Sequence, residues 1–103
     1  MHYRRLGSSN LKVSVLCLGT MMFGDQTEQD EADRIVSSAH EYGLNFIDTA
    51  DSYSRGGCEE MVGRVLRGRR NDWILATKLG NSFTAPQSGS YNGIPLYNFG
   101  GLG

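Results

Sequence analysis

The sequence predicts an α/β fold, and three observations predict it. Three short segments are apolar and rich in β-branched residues, two segments between them repeat apolar residues at helical spacing, and glycines mark the joints. Strand, helix, strand, helix, strand at this spacing means parallel strands joined by crossovers. Periodicity does not separate an open doubly wound sheet from a closed barrel, because both repeat the same unit.

Taken in order, the chain opens with Tyr3-Arg4-Arg5-Leu6 and Leu11-Lys12-Val13 on either side of the turn-rich Gly7-Ser8-Ser9-Asn10, which reads as a β-hairpin. Val13 to Gly19 is β-branched and apolar and ends at a glycine, as expected of a strand buried on both faces; Cys17 is then a core thiol. From Thr27 to Tyr42 the apolar positions Ala32, Ile35, Val36 and Ala39 follow i, i+3, i+4, i+7, with Thr27 and Asp30 placed to cap the start and Gly43 to end it. His40 lies beside that stripe and reads as a helix-surface residue. Leu44 to Asp48 is a second strand. Cys58, Met61, Val62, Val65 and Leu66 repeat the helical spacing, with Glu59 and Glu60 in the first turn, where the helix dipole favours anions, and Gly68 as the stop. Trp73 to Lys78 is a third strand. Beyond Lys78 the chain has no charge, both prolines and six of its 14 glycines, so residues 1–78 form the α/β unit and residues 79–103 an irregular, Gly-rich loop or disordered tail.

Composition narrows the function. With 10 basic against 11 acidic residues and a net charge of -1, nothing points to nucleic acid or to an anionic membrane surface. No run approaches the ~18 apolar residues of a membrane-spanning helix. Arg4-Arg5 is followed by Leu6-Gly7-Ser8-Ser9-Asn10 rather than an apolar stretch, so no targeting segment is read. Cys17 and Cys58 form no ligand spacing with each other or with His2 and His40, which predicts a reduced, cytoplasmic protein without a metal site. At 103 residues one domain is the ceiling.

The chemistry-bearing residues lie where parallel strands end, the rim on which α/β folds assemble their sites. Asp48 closes the second strand, Tyr53 follows in the loop Thr49-Ala50-Asp51-Ser52, and Lys78 closes the third strand. A carboxylate and an ammonium on neighbouring strand ends can pair, and a phenol beside the ammonium would feel its field. An unperturbed phenol has a pKa of ~10, and bringing it down by about 2 to 3 pH units requires about 3 to 4 kcal/mol of preference for the phenolate. One lysine in a water-poor pocket supplies that scale of effect. On spacing alone the bland alternative stands beside this one: a turn-capping Asp48, a loop-covering Tyr53 and a solvated Lys78.

Read together, Arg5-Leu6-Gly7-Ser8-Ser9 with Leu11-Lys12-Val13-Ser14, then Leu18-Gly19-Thr20-Met21 with Phe23-Gly24, then Gly43 to Tyr53 and Ala76-Thr77-Lys78, resemble the aldo-keto reductase family over roughly residues 3 to 80. The resemblance implies a (β/α)8 TIM barrel, of which this chain carries the N-terminal hairpin, the first three strands and two helices. It also implies NADPH-dependent reduction of small aldehydes or ketones to alcohols, with NADH as the other possible cofactor. By the same resemblance Tyr53 is the proton donor, Lys78 lowers its pKa, and Asp48 partners both. Gly19, Thr20 and Met21, with Asp48, line the nicotinamide side of the pocket. Asp25 stands where a phosphate-binding loop would need lysine, and no G-x-G-x-x-G follows a strand, which disfavours a Rossmann fold.

Two departures qualify the resemblance. Cys58 occupies a position where many relatives have serine, which predicts a weaker cap on the second helix and an inert thiol. No histidine follows His40, so the family's fourth catalytic residue is absent, as are the later determinants for the adenine end of the cofactor. A barrel takes about 250 residues. The expectation is therefore a truncated form, from a shortened or misread gene, that is inactive alone. The alternatives are a non-enzymatic binding or regulatory module resembling channel-associated members of the family, or an inactive pseudogene product.

Overall fold

In the computed structural model a β-hairpin leads into a three-stranded parallel sheet backed by two helices. The structure describes residues 1–80 and, beyond them, two short strands, Ser90–Tyr91 and Ile94–Pro95. The hairpin strands Tyr3–Arg5 (β1) and Lys12–Ser14 (β2) pair antiparallel, with Arg4 opposite Val13. Their turn is closed by the Leu6 N–H on the Leu11 carbonyl at 2.8 Å and by the Ser9 hydroxyl on the Leu6 carbonyl at 2.6 Å. Asn45 ties the hairpin to the sheet. Its side-chain carbonyl accepts from the Ser14 N–H at 2.7 Å, and its amide nitrogen donates to the Lys12 carbonyl at 3.0 Å.

The strands Leu18–Gly19 (β3), Phe46–Asp48 (β4) and Ile74–Ala76 (β5) are parallel and lie in that order. Leu18 sits opposite Ile47 and Ile47 opposite Leu75, while Gly19, Asp48 and Ala76 form the next row. Since successive side chains on a strand point to opposite faces, the register gives each face its own set. Leu18, Ile47 and Leu75 face the helices, whereas Phe46 with Ile74, then Asp48 with Ala76, face the other way.

The helix-side layer is the core. Helix Gln29–Glu41 (α1) contributes Ala32 and Val36, helix Gly57–Val65 (α2) contributes Cys58, Met61, Val62 and Val65, and all pack around Ile47. Each fully buried aliphatic side chain here is worth about 1.5–3 kcal/mol over its exposed state. Arg69 clasps the two helices, donating to the Val65 carbonyl at 2.9 Å and to the Ser37 hydroxyl at 2.8 Å. Gly43 ends α1 at φ +92°, and a Cβ there would stand 2.9 Å from the Met1 Cβ, so no other residue fits without movement.

Several sequence expectations change in the structure. The run from Val13 to Gly19 is not one buried strand: Ser14 ends the hairpin, β3 begins at Leu18, and Val15, Leu16 and Cys17 between them are exposed. Cys17 is therefore not a core thiol. It stands one residue before Leu18, on the alternation that points away from the helices, and borders the cleft between the hairpin and the sheet. Helix α1 starts at Gln29 after Glu28, with no side-chain cap; Thr27 is used instead in a tight loop, where its N–H reaches the Met22 carbonyl at 3.0 Å. Gly56, at φ +93°, precedes α2, so Cys58 lies inside the helix rather than at its cap. Strand β5 stops at Ala76, two residues before Lys78. The tail is not wholly irregular, because Ser90–Tyr91 (β6) and Ile94–Pro95 (β7) pair antiparallel. The rest of the tail assignment lies outside the described residues.

Candidate functional site

The C-terminal rim of the parallel sheet gathers the polar residues. Asp48 is the last residue of β4, on the face away from the helices. Two backbone bonds carry the pairing of β4 and β5 past the strand ends: the Thr49 N–H to the Ala76 carbonyl at 2.8 Å and the Asp51 N–H to the Lys78 carbonyl at 3.0 Å. They bring Lys78 alongside Asp48 although it lies outside the strand. The Lys78 ammonium then donates to both carboxylate oxygens of Asp48, at 3.0 and 2.9 Å, and to the Thr49 carbonyl at 2.8 Å, which uses all three of its protons.

Tyr53 begins a tight turn, Tyr53–Gly56, leading into α2, and its half-buried side chain packs against the core cluster. The Lys78 nitrogen stands 4.9 Å from the centre of the Tyr53 ring, within the range of a cation–π contact. Burial disfavours the Lys78 ammonium, but its hydrogen bonds to Asp48 and its charge interactions with Asp48 and Tyr53 outweigh this, and its pKa lies above the ordinary lysine value. The turn is held in an uncommon shape. Ser54 and Arg55 are both left-handed, at φ +52° and +54°, and the Ser54 hydroxyl donates to the Phe23 carbonyl at 3.0 Å.

Beside these groups lies a cleft of about 420 Å³, whose wall includes Gly19, Thr20, Met21, Asp48 and Tyr53. A Cβ placed on Gly19 would meet nothing within 4 Å, so the surface next to Asp48 is flat and open. Met21 is 56% exposed at the lip. Thr20 is different, because its side chain is engaged behind the wall, its hydroxyl donating to the Asp48 carbonyl at 2.7 Å. A larger cleft of about 770 Å³ opens between the hairpin and the sheet, bordered by Val15, Cys17 and Phe46, but it contains none of Asp48, Tyr53 or Lys78. The smaller cleft is the one that Asp48 and Tyr53 border.

The sequence reading missed what lies behind the rim. Cys58 is completely buried, with its sulfur 3.2 Å from the Thr20 hydroxyl, 3.1 Å from the Thr49 hydroxyl and 3.0 Å from the Thr20 carbonyl. Glu59 accepts from the Thr77 hydroxyl at 2.7 Å, linking α2 to the segment before Lys78. A signal for the first cluster was present: Thr20 and Thr49 each follow a strand-end residue by one, which turns both toward the helices on the same row.

Comparison with known proteins points to one family. A model of the "Aldo/keto reductase family" matches residues 15–95, continuing past Lys78 into the tail. The "Uncharacterized oxidoreductase YqkF" of Bacillus subtilis is 46% identical over 91 residues, covering 88% of this chain and 29% of that protein. A "Probable voltage-gated potassium channel subunit beta" of Arabidopsis thaliana is 40% identical over 83 residues, covering 77% of this chain and 25% of the relative. Among solved structures, an aldo-keto reductase of Bacillus halodurans in its holo form superposes with a TM-score of 0.73 at 49% identity, covering 81% of this chain and 27% of that one. The chain thus spans between a quarter and a third of the length of these relatives.

Proposed function

The chain belongs to the aldo/keto reductase family, and we propose that it supplies one wall of the nicotinamide pocket and three catalytic groups for NADPH-dependent reduction of aldehydes or ketones to alcohols. NADH is the alternative cofactor. In this reading the three parallel strands are the first three of a (β/α)8 barrel, and the open face carrying Asp48 is its interior. The observation that carries the proposal is Lys78, bonded to both oxygens of Asp48 and set against the Tyr53 ring at one rim.

The residues present fit a flat cofactor ring. Gly19 leaves open space beside Asp48, and Met21 offers an apolar, adaptable lip, so Gly19, Met21, Asp48 and the main chain at Thr20 would hold the nicotinamide. When bound, the reduced nicotinamide supplies a hydride for the carbonyl carbon. Tyr53 gives its hydroxyl proton to the carbonyl oxygen as the C=O bond becomes C–O–H. Lys78 presents its positive charge to the phenolate that forms, and Asp48 fixes that charge in place. A small carbonyl compound is the substrate class.

These groups need the rest of the barrel. The face bearing Phe46 and Ile74 is only partly covered among the described residues, both side chains being half-buried, and Val15, Leu16, Met21 and Leu79 stand exposed. The 103 residues alone are accordingly expected to turn over no aldehyde, whereas the same residues joined to the remaining strands oxidise NADPH when a reactive aldehyde is added. Tyr53→Phe in that context should lower kcat by about 10²–10⁴-fold. Equal rates with and without the Tyr53 hydroxyl would sink the proposal. Family membership accounts for the similarity to the channel subunit, so it gives a regulatory role no separate support. No helix among the described residues is long and apolar enough to cross a membrane; the same proposal puts the protein in the cytoplasm, where an exposed thiol such as Cys17 stays reduced.

A further inference from the structure

We propose that Cys58 is a positioning residue for the Asp48–Lys78 pair, acting through a buried chain of hydrogen bonds that runs from α2 through Thr49 and Thr20 to the peptide of Asp48. The proton accounting gives the chain a direction. The Thr20 hydroxyl commits its single proton to the Asp48 carbonyl, 2.7 Å away. The Cys58 thiol points its own proton at the Thr20 carbonyl, at 3.0 Å. Thr49, 3.1 Å from the sulfur, must then donate to it. Thr49 donates to Cys58, Cys58 to Thr20, and Thr20 to Asp48.

The chain closes on the catalytic rim from behind. Asp48 has its carbonyl held by Thr20, and the neighbouring Thr49 peptide is held at both ends, its N–H by Ala76 and its carbonyl by Lys78. The segment that aims the Asp48 carboxylate therefore has three anchors, one of which depends on a sulfur in the first turn of α2. Because Cys58, Thr20 and Thr49 are all at most 1% exposed, water cannot replace a lost partner. A thiol suits the place because one atom must accept and donate at once. Serine can do both, while valine fills similar space and does neither.

The inference rests on the reading of Asp48 and Lys78 as catalytic, but its test does not need turnover. In the full 103-residue chain, the Lys78 side chain can be titrated by NMR. The charged or titratable groups that bear on it are Asp48 from β4, Tyr53 from the turn and Cys17 before β3, all present in every variant. Cys58→Ser is expected to keep the parent's midpoint. Cys58→Val, folded by circular dichroism, is expected to bring it down by about half a pH unit toward the free-lysine value of about 10.4. An unchanged midpoint in folded Cys58→Val overturns the proposal, as does a lowered one in Cys58→Ser. If Cys58→Val does not fold, the isosteric Thr49→Val cuts the chain at its first bond and decides the matter by the same measurement. Failure of the reductase reading would show elsewhere, as the indifference of kcat to Tyr53→Phe.

Discussion

Ile47 and Phe46 are neighbours on β4, yet they belong to different parts of the molecule. Ile47 points to the helices, is 0% exposed and sits in the centre of the core. Phe46 points the other way, half-buried, beside the large cleft under the hairpin. The division extends across the sheet. The helix-side face has two amphipathic helices laid against it, and the opposite face carries Asp48, Ala76 and the flat surface at Gly19. Stability and the proposed chemistry thus fall on opposite sides of the same three strands, and a one-residue slip in register would exchange them.

The sharpest way to break this comparison is to truncate both neighbours. Ile47→Ala removes atoms from a closed core and is expected to lower unfolding free energy by about 2–4 kcal/mol. Phe46→Ala, on the open face, is expected to cost under about 1.5 kcal/mol, although phenylalanine is the larger residue. Urea titrations followed by circular dichroism measure both. A larger loss for Phe46→Ala would mean that the open face is packed in solution and that the two sides do not differ as described.

The helix side was the legible side. The i, i+3, i+4 spacing of Ala32, Ile35, Val36 and of Cys58, Met61, Val62 places residues that the structure buries or half-buries, because amphipathic periodicity records burial against a single surface. The same rule explains the error at Cys17. A β-branched apolar run reads as a strand covered on both faces, but sequence does not state what covers each face, and here the described residues close only one of them. The tail strands were overlooked because two-residue strands carry no measurable period. At the site, Asp48 and Lys78 could be paired from strand order alone. For the Thr20–Cys58–Thr49 cluster strand order places only the two threonines, since the position of Cys58 depends on where α2 lands relative to two strand ends.

The rim where the two sides meet holds the left-handed non-glycine residues found among the described residues. Arg55 is exposed and left-handed at φ +54°, a conformation that costs a residue with a Cβ about 1–2 kcal/mol. Arg55→Gly removes that penalty but loosens the unfolded chain, so a net stabilisation of about 0.5–1 kcal/mol is expected. Ser54 is the less informative choice, because its hydroxyl bonds to Phe23 and glycine would lose that bond. A rise in Tm for Arg55→Gly would show that the turn carrying Tyr53 is held in shape by its neighbours. A fall would show that Arg55 contributes a contact of its own.

The smallest expected effect concerns the open side directly, through the pH dependence of the Lys78–Asp48 pair. The Lys78 pKa is raised in the folded chain, so the stability it contributes is fully present below the unfolded value of about 10.4 and is lost as pH rises through the higher folded value. The side chains are 42% and 36% exposed, so water screens the pair and its contribution is at most about 1 kcal/mol. The parent's stability alone does not isolate this pair. The difference between the parent and Lys78→Met isolates the pair. That difference should be constant from pH 7 to 9 and should shrink at pH 12, as measured by urea titration at each pH. A difference that persists undiminished at pH 12 would assign the role of Lys78 to the packing of its methylenes on Tyr53, and the open side would then hold its shape without help from charge.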